Sequence, residues 1–241
     1  MKNHSIELDQ KKILTFYEGR AEKYDPRIPE VSMLFQDKNP DLALRRSHFE
    51  IEKIKNILRP DFESKVLDVG CGVGRWALEL IPLVDEYIGT DFCDPLLKIA
   101  KDNFLGIEKA NFLNLEASDI SHVKISKETN LILFAGVAHY LNDDSFFQTL
   151  SNFFEILSKN LGILYFRCPV SLSSKFSLID HYSEELDSKY SATYRNHDEI
   201  LMQFTQLNYF KAAELIDHGP LFPTELQNRM ETTQYFWIWK F

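Results

Sequence analysis

Gly70, Gly72 and Gly74 stand at alternate positions between an apolar run, Lys65-Val66-Leu67-Asp68-Val69, and a stretch at helical spacing, Arg75-Trp76-Ala77-Leu78-Glu79-Leu80. Glycine adopts positive φ and lets a ligand approach the backbone closely. A helix start adds unpaired N–H groups and the positive end of the helix dipole. Such a loop suits an anionic group such as a carboxylate or phosphate, although any tight strand-to-helix turn also favours glycine. Asp91 ends the next apolar run, Ile88-Gly89-Thr90-Asp91. A carboxylate there can accept from both hydroxyls of a ribose, and a turn or capping aspartate is the plainer alternative. His139 follows a fourth apolar run, Leu131 to Ala135, at the edge where open α/β sheets bind ligands. An imidazole with an ordinary pKa near ~6.5 could take a proton from a hydroxyl or ammonium there, against a purely structural role. Asp143 and Asp144 read as a helix cap, and no residues assemble into a metal set.

The spacing separates candidate ligands. A dinucleotide fingerprint requires glycine where Arg75 stands, which argues against an NAD-dependent dehydrogenase, and the phosphate-loop pattern is absent. What stands instead is V-L-D-V-G-C-G-V-G-R-W, residues 66–76, which resembles the first motif of class I S-adenosylmethionine-dependent methyltransferases. The resemblance implies S-adenosylmethionine as cosubstrate and S-adenosylhomocysteine as product. It assigns the ribose to Asp91, the amino-acid end to Asp68, and the pocket wall to Cys71, Arg75, Phe92 and Ala135. Glu116, Ala117 and Ser118 fall where the family has its adenine-contacting turn, with Asp119 as the alternative to Glu116. Tyr17, Arg20 and Tyr24 lie in a segment similar to the family's cosubstrate cover. There Arg20 would pair with the methionine carboxylate and a tyrosine would pack on the sulfonium side. Tyr140 is a second candidate beside His139, orienting the acceptor. The same resemblance points to small-molecule members that modify sugars or specialised metabolites. RNA or protein methylation, or cosubstrate binding without catalysis, remain the alternatives.

These residues need a parallel sheet to hold them. Strands at 65–69, 86–91, Asn111 to Leu115, Leu131 to Ala135 and Ile163 to Arg167 alternate with helices from Arg75, from Pro95 to Asn103 and from about Asp143 to Ser158. Asp94 would cap the second of these helices. The expectation is a Rossmann-like, doubly wound, seven-stranded sheet, mostly parallel, with an antiparallel last strand. Residues 1–60 form an N-terminal helical cap, with a helix from Asp41 to Leu58 that Asp41 caps and Pro60 stops. Residues 61–241 form the catalytic domain. A polar, aperiodic insertion at about 170–195 would offer Tyr182, Tyr190 and Tyr194, with Phe222, as acceptor walls. Asn196 to Leu207 reads as a helix, and Tyr209–Asp217 and Tyr235–Lys240 as a final hairpin.

With 36 acidic against 27 basic residues the net charge is −9, which argues against a sequence-independent grip on nucleic acid while leaving room for a local basic patch. Three scattered cysteines fit a reducing cytoplasm. No run approaches membrane-span length, and the first twelve residues lack a signal peptide's apolar core. A small-molecule acceptor and a monomer or homodimer complete the expectation.

Overall fold

A computed structural model describes residues 7–34, 36–122 and 128–241. The first six residues, part of the expected cap and of the segment examined for a signal, lie outside the described residues. The strands are β1 (Lys65–Val69), β2 (Glu86–Asp91), β3 (Ala110–Asn114), β4 (Leu131–Ala135), β5 (Ile163–Ser171), β6 (Phe176–Ser183), β7 (Ser188–Tyr194), β8 (Glu214–Pro220) and β9 (Thr232–Lys240). The helices are α1 (Gln10–Glu22), α2 (Pro29–Leu34), α3 (Pro40–Leu58), α4 (Arg75–Leu80), α5 (Asp94–Asn103), α6 (Asp143–Asn160) and α7 (His197–Thr205).

Seven strands form one sheet in the order β3-β2-β1-β4-β5-β9-β8, with β9 antiparallel to both neighbours and the other contiguous pairs parallel. This is the Rossmann-like arrangement that the alternating elements imply. Because side chains alternate across a strand, each strand feeds two cores. Val66, Leu131, Leu133, Phe236 and Ile238 pack with α3, α4 and α5 on one face. Leu67, Ile132, Phe134, Trp237 and Trp239 meet α6 and α7 on the other. In α6, Phe146, Leu150, Phe153, Phe154 and Leu157 repeat at three- and four-residue steps and are fully enclosed. Such side chains contribute about 1.5–3 kcal/mol each on burial.

Several end signals work differently from their sequence reading. Asn39, not Asp41, caps α3 by accepting from the Leu42 N–H at 3.1 Å, while Arg59 closes it in the left-handed region. Cys93 occupies the cap position of α5, and the Asp94 carboxylate accepts from Asn114 instead. Asn142 occupies that of α6, and Asp143 turns away to pair with Arg195 and Lys175. The 170–195 stretch is ordered as an antiparallel pair, β6 and β7, outside the main sheet. It reads as aperiodic because neither strand alternates in burial, β6 having no buried residue and β7 a run of five, and because the register slips between Leu178 and His181. Leu186, Tyr190 and Tyr194 of this hairpin pack with Leu8, Ile13 and Phe16 beside Tyr140. The hairpin and α1 thus make one roof over the carboxyl ends of the strands.

Candidate active site

Beneath that roof a cavity of about 180 Å³ is bounded by the turns after β1, β2, β3 and β4. Gly70, Gly72 and Gly74 take φ of 75°, 55° and 87°. A Cβ on Gly70 would stand 2.2 Å from Val137 Cγ2, and one on Gly72 2.5 Å from Met33 Sδ of α2. Gly70 and Cys71 donate to the Thr90 carbonyl at 2.7 and 2.9 Å, and Gly74 to that of Cys71 at 3.0 Å. Gly72 donates to Asp91 Oδ2 at 3.0 Å, and Cys93 to Oδ1 at 3.0 Å. Asp91 therefore ties the loop to the end of β2. With these donors used internally and α4 only six residues long, little remains of the anion cradle that the glycine spacing implies.

The wall is acidic instead. Asp68 is 2% exposed and accepts from the Tyr87 hydroxyl; burial, against that bond, pushes its carboxyl up to about 7. Burial pushes Asp91 up to about 6 against the N–H bonds from Cys93, Gly72 and Phe92. Among the described residues neither carboxylate is in a salt bridge, so hydroxyls and cations are the ligands that would stabilise their charged forms. That lining fits the ribose and ammonium of S-adenosylmethionine.

Cys71, Phe92, Glu116, Ala117, Ser118 and Ala135 all line this cavity, and Asp119 does not. Tyr17 closes it from α1, edge-on to Phe92 at 5.8 Å and to Tyr140 at 5.3 Å, its hydroxyl hydrogen-bonded with that of Tyr140. Two expected cover residues lie elsewhere. Arg20 is held by both carboxylate oxygens of Asp37, at 2.6 and 2.8 Å, and by the Val31 carbonyl, outside the cavity lining. It locks α1 to the turn after α2, and the expected pairing with the methionine carboxylate is corrected. Tyr24 packs near Val73, Cys93 and Leu96 with its hydroxyl accepting from Asn103, also outside the lining.

Arg75 reaches the cavity, but its guanidinium donates to Glu50 Oε2 at 2.9 Å. Glu50, from α3, is fully buried and also accepts from the Tyr165 hydroxyl at 2.7 Å and Arg167 Nε at 3.1 Å. Burial alone would raise its carboxyl; Arg167, Arg75 and Tyr165 outweigh this and hold it below the usual range. Glu50 and Arg167 were missed from sequence. A usable signal was present, since Ser47 and Glu50 interrupt the buried stripe of α3 formed by Ala43, Ile51 and Ile54.

Beyond His139 and Tyr140 a second chamber of about 80 Å³ adjoins the first, with Arg46, Phe222 and Gln234 also shared between them. Tyr190 and Tyr194 line it as expected, whereas Tyr182 is half exposed and donates to Asp187. The His139 ring lies 4.0 Å from that of Tyr140 and stacks 6.0 Å from that of Tyr194. Burial first, then Arg167, Arg195 and Arg229, push its pKa well below the ordinary histidine value, so the imidazole is neutral at pH 7. Its Nδ1 is buried without a hydrogen-bond partner among the described residues. Arg195 pins the turn that carries it, donating to the carbonyls of Ala138 and Leu141 at 2.9 and 2.8 Å and to Asp143.

Residues 66–160 match a family model described as a methyltransferase domain. No curated protein matches the chain by sequence. Among solved structures, the chain is similar to a Leishmania major S-adenosylmethionine-dependent methyltransferase at 18% identity, over 92% of this chain and 82% of that one, with a TM-score of 0.61. It is similar to DhpI in complex with S-adenosylhomocysteine at 15% identity, over 95% of both chains, with a TM-score of 0.61. Haemonchus contortus phosphoethanolamine N-methyltransferase 1 superposes with a TM-score of 0.70 at 16% identity, over 96% of this chain and 48% of that one, so the chain spans about half its length. At these identities the likeness to solved structures is one of fold. The matched segment runs from Val66 in β1 to the last residue of α6 and contains the glycine loop with Asp68, Asp91 and Glu116, so this part of the chain is a methyltransferase domain, with S-adenosylmethionine as its cosubstrate.

Proposed function

We propose that the protein methylates a small-molecule acceptor bound in the chamber beyond His139 and Tyr140. The observation that carries this reading is the shared wall: the same two side chains line the acidic cavity and the second chamber. S-adenosylmethionine supplies an already activated methyl group on a sulfonium. Asp91 would accept from its ribose hydroxyls and Asp68 would face its ammonium. Glu116, Ala117 and Ser118 would border the adenine, while Cys71, Phe92, Ala135 and Tyr17 enclose the remainder. With the donor activated, the chain's main work is alignment and exclusion of water. The roof of α1 and the β6–β7 hairpin serves the second task. His139, neutral and with no ion-pair partner among the described residues, can accept a proton that a hydroxyl or ammonium acceptor gives up, and Tyr140 orients the acceptor.

The chamber's small volume and the net charge of −9 support a small acceptor over RNA or protein. A sugar or specialised metabolite, methylated at oxygen or nitrogen, fits that space. The same reading takes residues 61–241 as one catalytic domain roofed by the N-terminal helices. The three buried, unpaired cysteines support a reducing cytoplasmic setting. The test is to incubate the protein with methyl-labelled S-adenosylmethionine and, separately, a low-molecular-mass metabolite filtrate, total RNA and total protein. Label is expected in the filtrate alone; transfer confined to RNA or protein overturns the reading.

A further inference from the structure

In a chain with 36 acidic residues, the described residues that line the second chamber include no aspartate and no glutamate but two arginines, Arg46 and Arg229. Cations that border a protected space ordinarily have a carboxylate partner, since an unpaired buried charge is costly. Here the partners are neutral. Arg46 Nε donates to the Leu226 carbonyl at 2.7 Å and Nη2 to Asn228 Oδ1 at 2.8 Å, with the guanidinium 5.3 Å from the Phe222 ring centroid. Those contacts fix the plane of the fork. Arg229, at the exposed mouth, lies against the Tyr190 hydroxyl. Among the described residues neither arginine is in a salt bridge.

The surroundings add positive charge. Arg167 and Arg75 share the single carboxylate of Glu50, so that cluster carries one cation in excess. Arg167 also donates to Gln234 Oε1 at 3.0 Å, which places this excess at the junction of the two spaces. Burial, with Arg229 and Arg167 nearby, pushes the Arg46 pKa down to about 10, as expected of a cation crowded by cations. The chamber also holds a further donor: Thr233 Oγ1 is buried and has no hydrogen-bond partner among the described residues.

We propose that the acceptor carries an anionic oxygen group, a carboxylate, phosphate or phosphonate, which Arg46 and Arg229 hold in the second chamber with Thr233 as an added donor. A planar guanidinium fork matches such oxyanions and binds them by charge-assisted hydrogen bonds. The purpose of the site rests on the methyltransferase reading, but its binding chemistry is separable from it. The division of charge then follows the reaction: carboxylates face the cationic cosubstrate at one end, and arginines face an anionic acceptor at the other.

The test uses full-length protein saturated with S-adenosylhomocysteine and titrated calorimetrically with inorganic phosphate and, separately, acetate. One site is expected for at least one of the two anions, and the preferred anion identifies the handle. Arg46→Gln and Arg229→Gln should each weaken that binding by about tenfold, and Arg229→Lys by less. Retained affinity for S-adenosylhomocysteine certifies that each variant is folded; Arg229, being exposed, is the safer one. Failure of both anions to bind overturns the proposal. So does wild-type anion affinity in both glutamine variants, or an Arg46→Gln variant that loses only S-adenosylhomocysteine. If the wild-type protein does not bind S-adenosylhomocysteine at all, the methyltransferase reading fails; the anion site is then judged by the same titrations on the unloaded protein.

Discussion

The cofactor end of the cavity draws most of its named residues from one stretch of chain, residues 68–118, with Tyr17 and Ala135 added from outside it, while the acceptor end gathers Gln36, Arg46, Tyr190, Phe222 and Gln234 from across the sequence. The first end is acidic, with Asp68 and Asp91 pushed towards neutrality by burial. The second is basic and, among the described residues, has no carboxylate in its lining. Glu50 lies between them, balancing Arg75 on the cofactor side and Arg167 at the junction. One end thus needs a local motif on a strand-turn-helix unit, whereas the other needs the finished tertiary structure.

Removing the link between the two ends should have the largest effect. Glu50→Ala leaves two buried guanidiniums without their carboxylate and should cost about 3–5 kcal/mol of stability, read from a urea melt. A loss below about 1 kcal/mol would show that water or another group neutralises the arginines. His139→Ala tests the shared wall. It should lower kcat by about 10²-fold with the affinity for S-adenosylhomocysteine unchanged. Because the folded pKa of His139 lies well below its ordinary value, the wild-type rate should show no histidine step near pH 6.5. Retention of more than a third of kcat would reduce His139 to a packing role.

Asp91→Ala probes the acidic end alone. Loss of hydrogen bonds to a charged group should weaken S-adenosylhomocysteine binding by about 2 kcal/mol, measured calorimetrically, while anion binding at the basic end persists. Thermal collapse at unchanged affinity would make Asp91 a loop tether only. The smallest effect is that of pH. Asp91 and Asp68 hold protons up to about 6 and 7 in the folded protein, and a ligand that needs their charged forms must expel them. Affinity for S-adenosylhomocysteine should therefore rise with pH, by about tenfold between pH 5.5 and 7.5, and then level off. A flat profile would place both groups ionised throughout. For stability the signs are opposite at the two places. The raised carboxyls cost stability as pH climbs from the ordinary carboxylate range to about 7. The lowered Glu50 contributes stability that is lost as pH falls through its folded value.

The same contrast explains what was legible in the sequence. Strand positions, the glycine loop and the helix that begins after Asn196 are set by residues a few positions apart, and Asp91 meets that loop across only 19. The acceptor arginines carry no local pattern, since Arg46 meets Leu226 and Asn228 across 180 and 182 positions. Arg20 misled because its segment is similar to the family's cosubstrate cover, whereas Asp37, brought round by the turn after α2, takes both ends of its fork. Tyr182 misled for a related reason: it lies on β6, where no residue is buried, and its hydroxyl is taken by Asp187 at the far end of the hairpin.

The placement of β9 between β5 and β8 has a consequence for how the chain is made. As synthesis proceeds, β1 to β5 can assemble first, but β5 then ends the sheet with the whole of Ile163–Ser171 unpaired on its outer side. β8 cannot cover that edge, because its partner is β9. The nascent protein must therefore wait, with an apolar strand edge open to neighbouring chains, until Thr232–Lys240 arrives and pairs on both sides at once. Gln234 and Thr233 arrive with that strand, so the basic chamber is completed in the same step that seals the sheet. Slow translation or early termination after β8 is thus the point at which this chain is most exposed to self-association.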